Sequence, residues 1–334
     1  MMSETNGTKL TEEELKAFGP LAQSIQESRS AGSKVTTAYP SGPPVGMQAY
    51  LGPSMFQPHR ARQAIRDAHE KKIPPLIGFY EGLSSIPIMR YMAPFGFDVV
   101  WIDWEHTSCN VETMTSMVHD AIFMSQGKTI PFVRVPGHDH AAIGFALDAG
   151  ASIVIPQLET VEEAKHVMSS AKFGTKNRGT RSAPPFRLIP TVTDQGYDGV
   201  RDVWQNWNDQ AAVMVQIESL AGINNLDAIL TECPDIDVVW LGQLDCRISM
   251  NLPANFGMGN EPEWVEAKEK FYATLKKHNK PLAGFAFAPG EALTAAAQDH
   301  CMILHSSDVT KLFELKQELA NAREAVKGVV KKQD

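Results

Sequence analysis

Cysteine is scarce in this sequence, and the few cysteines form no motif. The four, Cys109, Cys233, Cys246 and Cys301, include no Cys-x-x-Cys pair, which argues against both a structural zinc site and a disulfide framework. The sequence also lacks a His-Glu-x-x-His motif. No apolar run approaches the ~20 residues that a membrane span needs. We therefore expect a protein of a reducing compartment that has no membrane partner.

Basic residues are also fewer than acidic residues in this sequence. The formal net charge of the 334 residues is −8 at pH 7, which argues against a nucleic-acid partner because such a surface needs a basic stripe. The acidic N-terminal segment has no apolar core like that of a secretory signal. With 43% hydrophobic and 21% charged residues, the composition is that of an ordinary globular protein. We expect a cytoplasmic location.

Residues 1–72 differ in character from the rest of the chain. The segment from Thr11 to Gln26 opens with a capping-box pattern and predicts a short helix. The residues after it are rich in proline, glycine and serine and predict irregular structure. A second helix is predicted from His59 to Lys71. We expect a helical and irregular N-terminal extension, or arm, on a catalytic domain of residues 73–334, with disorder of the arm as the alternative.

From Pro74 onward, short apolar runs alternate with stretches of helical period. The eight runs lie at 74–80, 97–103, 129–135, 151–157, 211–218, 237–242, 281–287 and 301–306. Runs that are apolar throughout are typical of strands in a parallel sheet that is covered on both faces. Eight of them alternating with helices predict the α/β class and a (β/α)8 TIM barrel. A doubly wound sheet is the alternative, but no Gly-x-Gly-x-x-Gly follows a strand.

Polar and ionisable residues follow the predicted strands where a barrel places its active site. They are Tyr80 and Glu81 after the first run, Asp103, Glu105 and His106 after the second, Arg134 at the third, Gln216 and Glu218 at the fifth and Asp245 after the sixth. The C-terminal ends of barrel strands meet at one rim, so these side chains are predicted to lie close together. For each residue taken singly, a solvated loop position is the alternative.

The residue types at this rim favour enolate chemistry. Glu218 and Asp245 offer the hard oxygen ligands that Mg2+ or Mn2+ prefers. Arg134 suits a carboxylate or a developing oxyanion, and His106, oriented by a neighbouring carboxylate, suits proton transfer near neutral pH. Together they indicate the making and breaking of an enolate beside a divalent metal. No predicted strand ends in a lysine, which argues against a Schiff-base mechanism.

Seven segments carry motifs in a recognisable order. They are GLSS at 82–85, FDVVWIDWEH at 97–106, RVP at 134–136, LDAGASIVIPQLETVEEA at 147–164, NRG at 177–179, VQIES at 215–219 and GQLD at 242–245. In order and spacing the chain resembles the HpcH/HpaI aldolase family, the metal-dependent class II pyruvate aldolases. The resemblance implies a carbon–carbon lyase that acts on 2-keto acids, such as 4-hydroxy-2-keto acids or oxaloacetate, through the enolate of pyruvate.

The resemblance also implies catalytic and metal-binding roles for particular residues. The histidine and the acid that act as the acid/base pair in the family correspond to His106 and Asp103. Arg134 corresponds to the arginine that contacts the keto or enolate oxygen. Glu218 and Asp245 correspond to the residues that hold the metal, so the implied cofactor is Mg2+, or Mn2+ or Co2+.

Further positions are implied to bind the substrate. They are Gln216, Gly242, Leu244, Tyr80 and Trp101. Gln216 lies beside the metal in the family, and backbone N–H groups near Gly242 and Leu244 would receive the substrate carboxylate. Tyr80 and Trp101 predict that the substrate pocket has an altered aromatic wall. For Trp101, a position in the barrel core is an equal alternative.

Assembly is a further implication of the resemblance. Family members are hexamers, built as trimers of dimers, in which a domain-swapped C-terminal helix is exchanged between neighbours. The amphipathic segment from Lys311 to Val330 fits such a helix. The last helix of a closed monomer is the alternative.

Departures from the family pattern leave other functions open. The common GPxDLS is GQLDCRIS here, so Cys246 and Arg247 stand beside a predicted metal ligand. The arm and the IDWEH context are similar to fungal macrophomate synthase-like members, which decarboxylate oxaloacetate and add the enolate to a 2-pyrone. That synthase is the alternative function. A catalytically inactive barrel that serves binding or assembly is a third possible function. Such a protein is expected to have lost a metal ligand or the catalytic base, and no such loss is seen.

Two smaller motifs each allow two interpretations. In PGHDHAA, His138 and His140 are either a metal pair or, with Asp139, part of the cap of the following helix, which we favour. In NRGTRS, Arg178 and Arg181 either bind a substrate carboxylate or lie in a solvated loop.

Overall fold

The computed structural model describes residues 44–184 and 202–329, together with residues 19, 188, 189, 193 and 196. Eight parallel strands in these ranges close into a barrel in sequential order. They are β1 (Leu76–Glu81), β2 (Val99–Asp103), β3 (Ile130–Arg134), β4 (Ser152–Ile155), β5 (Val213–Ile217), β6 (Val238–Leu241), β7 (Leu282–Phe285) and β8 (His300–Ser307). Each strand overlaps one of the eight apolar runs, so the predicted TIM barrel is confirmed.

Helices alternate with the strands. Those described are α1 (Ala61–His69), α2 (Ile86–Met92), α3 (Val111–Met124), α4 (His140–Asp148), α5 (Val161–Ala171), α6 (Val203–Gln210), α7 (Leu220–Glu232), α8 (Gln243–Ser249), α9 (Pro262–His278), α10 (Glu291–Asp299) and α11 (Asp308–Val326). Several begin at a side chain that accepts a backbone N–H, as Asp139 does for α4 and Thr160, with Glu163, for α5. None of these described helices is long and apolar enough to cross a membrane.

The barrel interior is filled by large side chains from alternate positions of the strands. Trp101, Phe132, Met214, Trp240 and Met302 are all nearly or fully buried in one cluster. A second cluster fills the layer between the strands and the surrounding helices. Burial on both faces explains why the strands are apolar throughout rather than alternating.

Helix α1 closes the N-terminal end of the barrel. Ala61, Ala64 and Ile65 belong to the same buried cluster as Leu76 and Ala212, which lie where β1 and β5 begin. The interior is therefore sealed at that end, and the opposite rim is left to receive a ligand.

The predicted N-terminal extension is described only in part. The helix predicted from Thr11 to Gln26 lies outside the described residues, apart from residue 19. The helix predicted from His59 to Lys71 is observed as α1, which packs on β8 and α6. The domain boundary at residues 72 and 73 stays a prediction.

Helix α11 packs little against its own barrel. The side chains of Leu312, Phe313, Leu315 and Leu319 are each more than half exposed. Asp308, at the start of the helix, accepts the backbone N–H groups of Gly82 and Leu83 at 2.9 Å each and so joins α11 to the loop after β1. The domain swap stays a prediction.

We predict that His59 makes the fold sensitive to mild acid. Burial lowers the pKa of His59 from 6.5 to about 4, although its bond to the Gly127 carbonyl oxygen opposes the shift. Protonation below pH 6.5 therefore favours the unfolded chain, and stability is lost as the pH falls from 6.5 towards 4. Between pH 7.5 and pH 5 the wild type should lose about 2 kcal/mol more unfolding free energy than His59→Gln.

Urea denaturation of both proteins at several pH values measures this difference. Glutamine suits the comparison because its amide can donate to Gly127 and does not titrate. Parallel pH profiles for the two proteins would contradict the assignment.

Candidate active site

The centre of the rim is a buried ion pair between neighbouring strands. The register of β2 with β3 sets Asp103 beside Arg134. The Asp103 carboxylate accepts from Arg134 Nη2 at 2.6 Å and from Nε at 3.1 Å. Asp103 is fully buried, and Arg134 is 8% exposed. Burial would raise the pKa of Asp103, but the bonds to Arg134 and its charge outweigh burial and hold that pKa below its ordinary value.

Tyr80 completes this pair from β1. Its hydroxyl donates to Asp103 Oδ2 at 2.6 Å and accepts from Arg134 Nη2 at 3.3 Å. Burial and the charge of Asp103 raise the pKa of Tyr80 well above its ordinary value, so the phenol stays protonated. The predicted substrate residue Tyr80 therefore lies within reach of both catalytic candidates.

Gln216 connects the ion pair to Glu218 on the far side of the rim. Arg134 Nη1 lies 3.5 Å from Gln216 Oε1. The amide nitrogen of Gln216 donates to Glu218 Oε1 at 3.2 Å. Through Arg134 and Gln216 the structure brings together the ends of β1, β2, β3 and β5.

The Glu218 carboxylate is held by backbone. Its Oε2 accepts the N–H of Gln157 at 2.9 Å, and Gln157 follows β4 with a left-handed φ of 48°. Such a backbone conformation is costly for a residue with a side chain and often marks a functional site. Sequence reasoning missed Gln157 because its contribution is a main-chain N–H, which no side-chain pattern reports.

Gly242 leaves the space that Glu218 occupies. A Cβ atom at position 242 would lie 2.2 Å from Glu218 Oε1, so glycine is required by this close approach. Burial, reinforced by the charge of Asp245, raises the pKa of Glu218 to about 7. Asp245 itself is exposed on α8, as is Leu244.

The two carboxylates fit a hard divalent cation. Among the described residues, no three His, Cys, Asp or Glu side chains are grouped to hold an ion. Mg2+ is commonly bound by only one or two carboxylates, with water and substrate completing its shell. Glu218 and Asp245 supply that donor set, and a cation between them would relieve their mutual repulsion.

His106 and Glu105 lie at the outer edge of the cluster. The His106 side chain is 66% exposed, and its Nε2 lies 3.5 Å from Glu105 Oε2. The same Glu105 oxygen lies 3.2 Å from Arg134 Nε. Asp103, the predicted partner of His106, instead reaches only the backbone N–H of that residue, at 3.4 Å. The imidazole is thus paired with Glu105, while Asp103 is committed to Arg134.

Trp101 lies beneath the site rather than in its wall. It is 1% exposed and packs in the barrel interior against Trp240, with ring centroids 5.0 Å apart. The guanidinium of Arg134 lies 5.4 Å from the Trp101 ring centroid. This position matches the barrel-core alternative and gives Arg134 an apolar floor.

The two histidines of PGHDHAA have separate partners. Asp139 Oδ1 accepts the Ala142 N–H and caps α4. His138 Nε2 lies 2.7 Å from the Pro156 carbonyl oxygen, and His140 Nδ1 lies 3.0 Å from Ser170 Oγ. The cap is formed by the aspartate alone, and the histidines do not converge as a metal pair would.

Arg247, a departure from the family pattern, is an anchor for the loop beside the site. It is fully buried and pairs through both terminal nitrogens with the Glu261 carboxylate at 2.7 Å each. Its Nε donates to the Pro253 carbonyl oxygen at 2.8 Å. The Arg247 contact holds the pKa of Glu261 down, to about 2. No sequence pattern indicates this pair, because its members lie on different elements.

Comparison with known proteins shows which family the chain matches. The model of the HpcH/HpaI aldolase/citrate lyase family matches residues 76–312. The 5-keto-4-deoxy-D-glucarate aldolase of Enterobacter sp. (strain 638) is 25% identical over 74% of this chain and 91% of its own. The 4-hydroxy-2-oxo-heptane-1,7-dioate aldolase of Shigella sonnei (strain Ss046) is 31% identical over 62% of this chain and 74% of its own.

A solved structure shares the architecture. The crystal structure of macrophomate synthase superposes with a TM-score of 0.77 at 31% sequence identity, covering 84% of this chain and 95% of the other. This likeness spans more of the chain than the family model does.

We predict that the Asp103–Arg134 pair is strongly coupled in stability. Asp103→Leu or Arg134→Met leaves the other charge buried without its partner, which costs about 3–5 kcal/mol of unfolding free energy. The double variant should cost clearly less than the sum of the two single variants. Chemical denaturation of the four proteins gives the coupling energy.

The exposed Arg90–Asp120 pair, at 2.8 Å, is the matched control. A similar cycle there should give less than about 1 kcal/mol, because solvent screens a surface pair. Equal coupling at the two pairs would contradict the central role of Asp103–Arg134.

Proposed function

Because the chain belongs to the HpcH/HpaI aldolase/citrate lyase family and is a lyase of the aldolase type, we propose that it acts through the enolate of pyruvate. The proposed substrates are 2-keto acids, namely 4-hydroxy-2-keto acids or oxaloacetate. The observation that carries the proposal is the continuous contact from Asp103 through Arg134 and Gln216 to Glu218. It joins an anion-binding guanidinium to a metal-binding carboxylate.

The proposed cofactor is a divalent ion, Mg2+ or alternatively Mn2+ or Co2+, held by Glu218 and Asp245. When bound, such an ion polarises the keto group and offsets the charge that develops on its oxygen. Gly242 leaves room for Glu218, and the Gln157 N–H fixes one of its oxygens. The protein thus presents a ligand whose orientation is set before the ion arrives.

Arg134 is proposed to stabilise the oxyanion of the keto group. Asp103 fixes its Nε and Nη2, and Trp101 lies under its plane. A donor that is held in place by its neighbours needs little reorganisation as charge develops on the substrate. The ionised Asp103 serves to position Arg134, since its lowered pKa makes it a poor proton donor near pH 7.

His106, paired with Glu105, is proposed to move the proton. It removes or returns a proton at C3 of pyruvate, and it takes the proton of the 4-hydroxyl group in retro-aldol cleavage. Burial keeps the pKa of Glu105 above its ordinary value even though the charge of Arg134 opposes the shift. The exposed imidazole can exchange protons with solvent between turnovers.

A synthase reaction is the second candidate. In it the chain decarboxylates oxaloacetate and adds the enolate to a 2-pyrone. The likeness to the macrophomate synthase structure supports this candidate. Both candidates need the same enolate, so they differ only in the electrophile.

We also propose that the protein assembles as a homo-oligomer, a hexamer built as a trimer of dimers, with α11 exchanged between neighbours. The exposed apolar side chains along α11 support this proposal, because contact with a neighbouring subunit would bury them.

The enolate proposal predicts metal-dependent proton exchange. In heavy water the protein should exchange the methyl protons of pyruvate and release pyruvate from oxaloacetate. EDTA should abolish both activities and Mg2+ should restore them, as followed by proton NMR. Lysine cannot reproduce the bidentate contact of Arg134 with Asp103. Arg134→Lys should therefore lower the rates of proton exchange and of pyruvate release on the order of 10²–10³-fold. The absence of exchange with every divalent ion would overturn the proposal.

Metal binding itself is tested with Glu218→Gln and Gly242→Ala. Each should weaken Mn2+ binding at least ~10-fold in calorimetry, because one removes a ligand charge and the other displaces the ligand. Glu232→Gln, an exposed carboxylate on α7, is the matched control and should bind Mn2+ like the wild type. Unchanged binding in both site variants would refute this ligand assignment.

The assembly proposal predicts a mass six times that of the 36.7 kDa chain. Leu315→Asp places a charge on the face of α11 that carries the exposed Leu312 and Leu319, and it should shift the protein to smaller species in light scattering. Gln317→Asp, which adds the same charge on the same exposed helix, should not. A monomeric wild type would exclude the swap.

A further inference from the structure

A cavity lies between the ends of α5 and α7, and we call it the α5–α7 cavity. Its volume is about 230 Å3, and its described lining includes Lys165, Lys172, Arg178 and Cys233. Lys172 directly follows α5, and Cys233 directly follows α7. The helices of a (β/α)8 barrel run antiparallel to the strands, so both helices end near the N-terminal ends of the strands. The cavity is therefore separate from the catalytic rim.

The loop from Gly174 to Gly179 lies closely against the end of α5. The N–H of Gly179 donates to the Gly174 carbonyl oxygen at 3.0 Å. A Cβ atom at position 179 would lie 2.0 Å from the Lys172 carbonyl oxygen, so glycine is required by this close approach. The backbone that carries Arg178 is thus held in place before any ligand binds.

Arg178 lies at a strained position of this loop. Its backbone is left-handed, with a φ of 55°, which is costly for a residue with a side chain and less so for asparagine or glycine. The residue is exposed, and its guanidinium makes no hydrogen bond or ion pair with the part of the chain that the structure describes. Strain of this kind is concentrated at functional sites.

Lys172 is a buried cation without a carboxylate partner. It is 7% exposed, and its Nζ donates to the Asn208 carbonyl oxygen at 2.6 Å. Among the described residues no carboxylate forms an ion pair with this nitrogen. Burial, reinforced by the charge of Arg62, lowers the pKa of Lys172 to about 8, although three nearby aspartates oppose the shift. An ammonium group has three donors, so Nζ can donate two further hydrogen bonds to a ligand.

The carboxylates near the cavity are engaged by other cations. Glu232 lies 2.8 Å from the Nζ of Lys165. Asp235, the only carboxylate of the described lining, lies 3.7 Å from Arg62 Nη2. The described lining thus has three cations and one carboxylate, and two of the cations have no ion-pair partner in the described chain. A buried charge without a partner is costly, so an anion in the cavity would be stabilising.

We infer that the α5–α7 cavity binds a compact dianion, namely a phosphate group, either as inorganic phosphate or as the end of a small phosphomonoester. The two unpaired cations match the charge of a phosphate group, which is about −1.5 to −2 at pH 7. A guanidinium binds two phosphate oxygens at once, and an ammonium adds a point charge. A monocarboxylate would leave one of the two cations uncompensated. The inference does not depend on the proposed function.

The arginines of the NRGTRS motif therefore have separate surroundings. Arg178 borders the α5–α7 cavity, whereas Arg181 pairs with Asp148 at 2.6 Å and packs 4.3 Å from the Phe173 ring centroid. Neither arginine belongs to the described lining of the cavity beside Glu218.

Calorimetric titration of the full chain in Mg2+-containing buffer tests the inference. The probes are inorganic phosphate and glycerol 3-phosphate, with acetate as the monoanionic comparison. At least one of the two phosphates should bind with a Kd of about 1 mM or lower. Acetate should bind at least ~10-fold more weakly than that phosphate. Tighter binding of glycerol 3-phosphate assigns the ester as the ligand, and tighter binding of inorganic phosphate assigns the free ion.

Arg178→Asn separates the ligand from a structural role. Asparagine removes the guanidinium but tolerates the left-handed backbone, so without phosphate the variant should resist urea at least as well as the wild type. It should bind the phosphate probe at least ~10-fold more weakly, because charge-assisted hydrogen bonds are lost. Lys172→Met should weaken binding to a similar extent. Lys176→Gln removes a charge from the same loop but outside this lining, and it should change the Kd less than ~3-fold.

Phosphate can also bind at the catalytic rim, and Arg134→Lys distinguishes the two sites. This variant alters the rim and should keep the binding that Arg178→Asn loses. Four results would overturn the inference. They are a Kd above about 1 mM for both phosphates, equal binding of acetate, equal losses in Lys176→Gln and Arg178→Asn, and binding that Arg134→Lys removes while Arg178→Asn retains it.

Discussion

The buried contact between Asp103 and Arg134 is the interaction on which the rest of the site depends. A guanidinium in a protein keeps its charge, so its burial at the barrel rim requires a partner that also stays charged. Asp103 provides that partner from the adjacent strand, at the same level of the sheet. Once Arg134 is fixed, Tyr80, Glu105 and Gln216 have a common donor group to contact. An aspartate committed in this way positions another group, which is why we propose His106 for the proton transfer.

The stability of the barrel allows the rim to hold this buried ion pair. Its interior is filled by tryptophan and phenylalanine side chains, and α1 covers its N-terminal end, so burial of apolar area stabilises the fold away from the rim. The rim can then tolerate several unfavourable features. Gln157 adopts a left-handed backbone, and Glu218 keeps a carboxylate in a buried position with a raised pKa. Such local costs at a site are tolerable only where the surrounding structure over-determines them.

Sequence patterns predicted most of the fold and the side chains of the rim, for a physical reason. Strands buried on both faces are apolar throughout, so Asp103, Arg134 and Glu218 stood out at their ends. Contacts that depend on backbone or on distant partners gave no such signal. The Gln157 N–H bound to Glu218, and the choice of Glu105 over Asp103 beside the His106 ring, follow from three-dimensional geometry that spacing does not encode.

The replaced residues after β6 show how a departure from a family pattern can serve the same site. Asp245 and Arg247 are two residues apart on α8, and at about 100° per residue they point to nearly opposite sides of the helix. Asp245 is exposed towards the cavity that Glu218 also lines, whereas Arg247 is buried and held by Glu261 and the Pro253 carbonyl oxygen. Gly259 leaves space for the Arg247 side chain, since a Cβ atom at position 259 would lie 2.1 Å from Arg247 Nη1. An exposed residue that is proposed to hold a metal on a seven-residue helix needs such an anchor, because a short helix has little stability of its own.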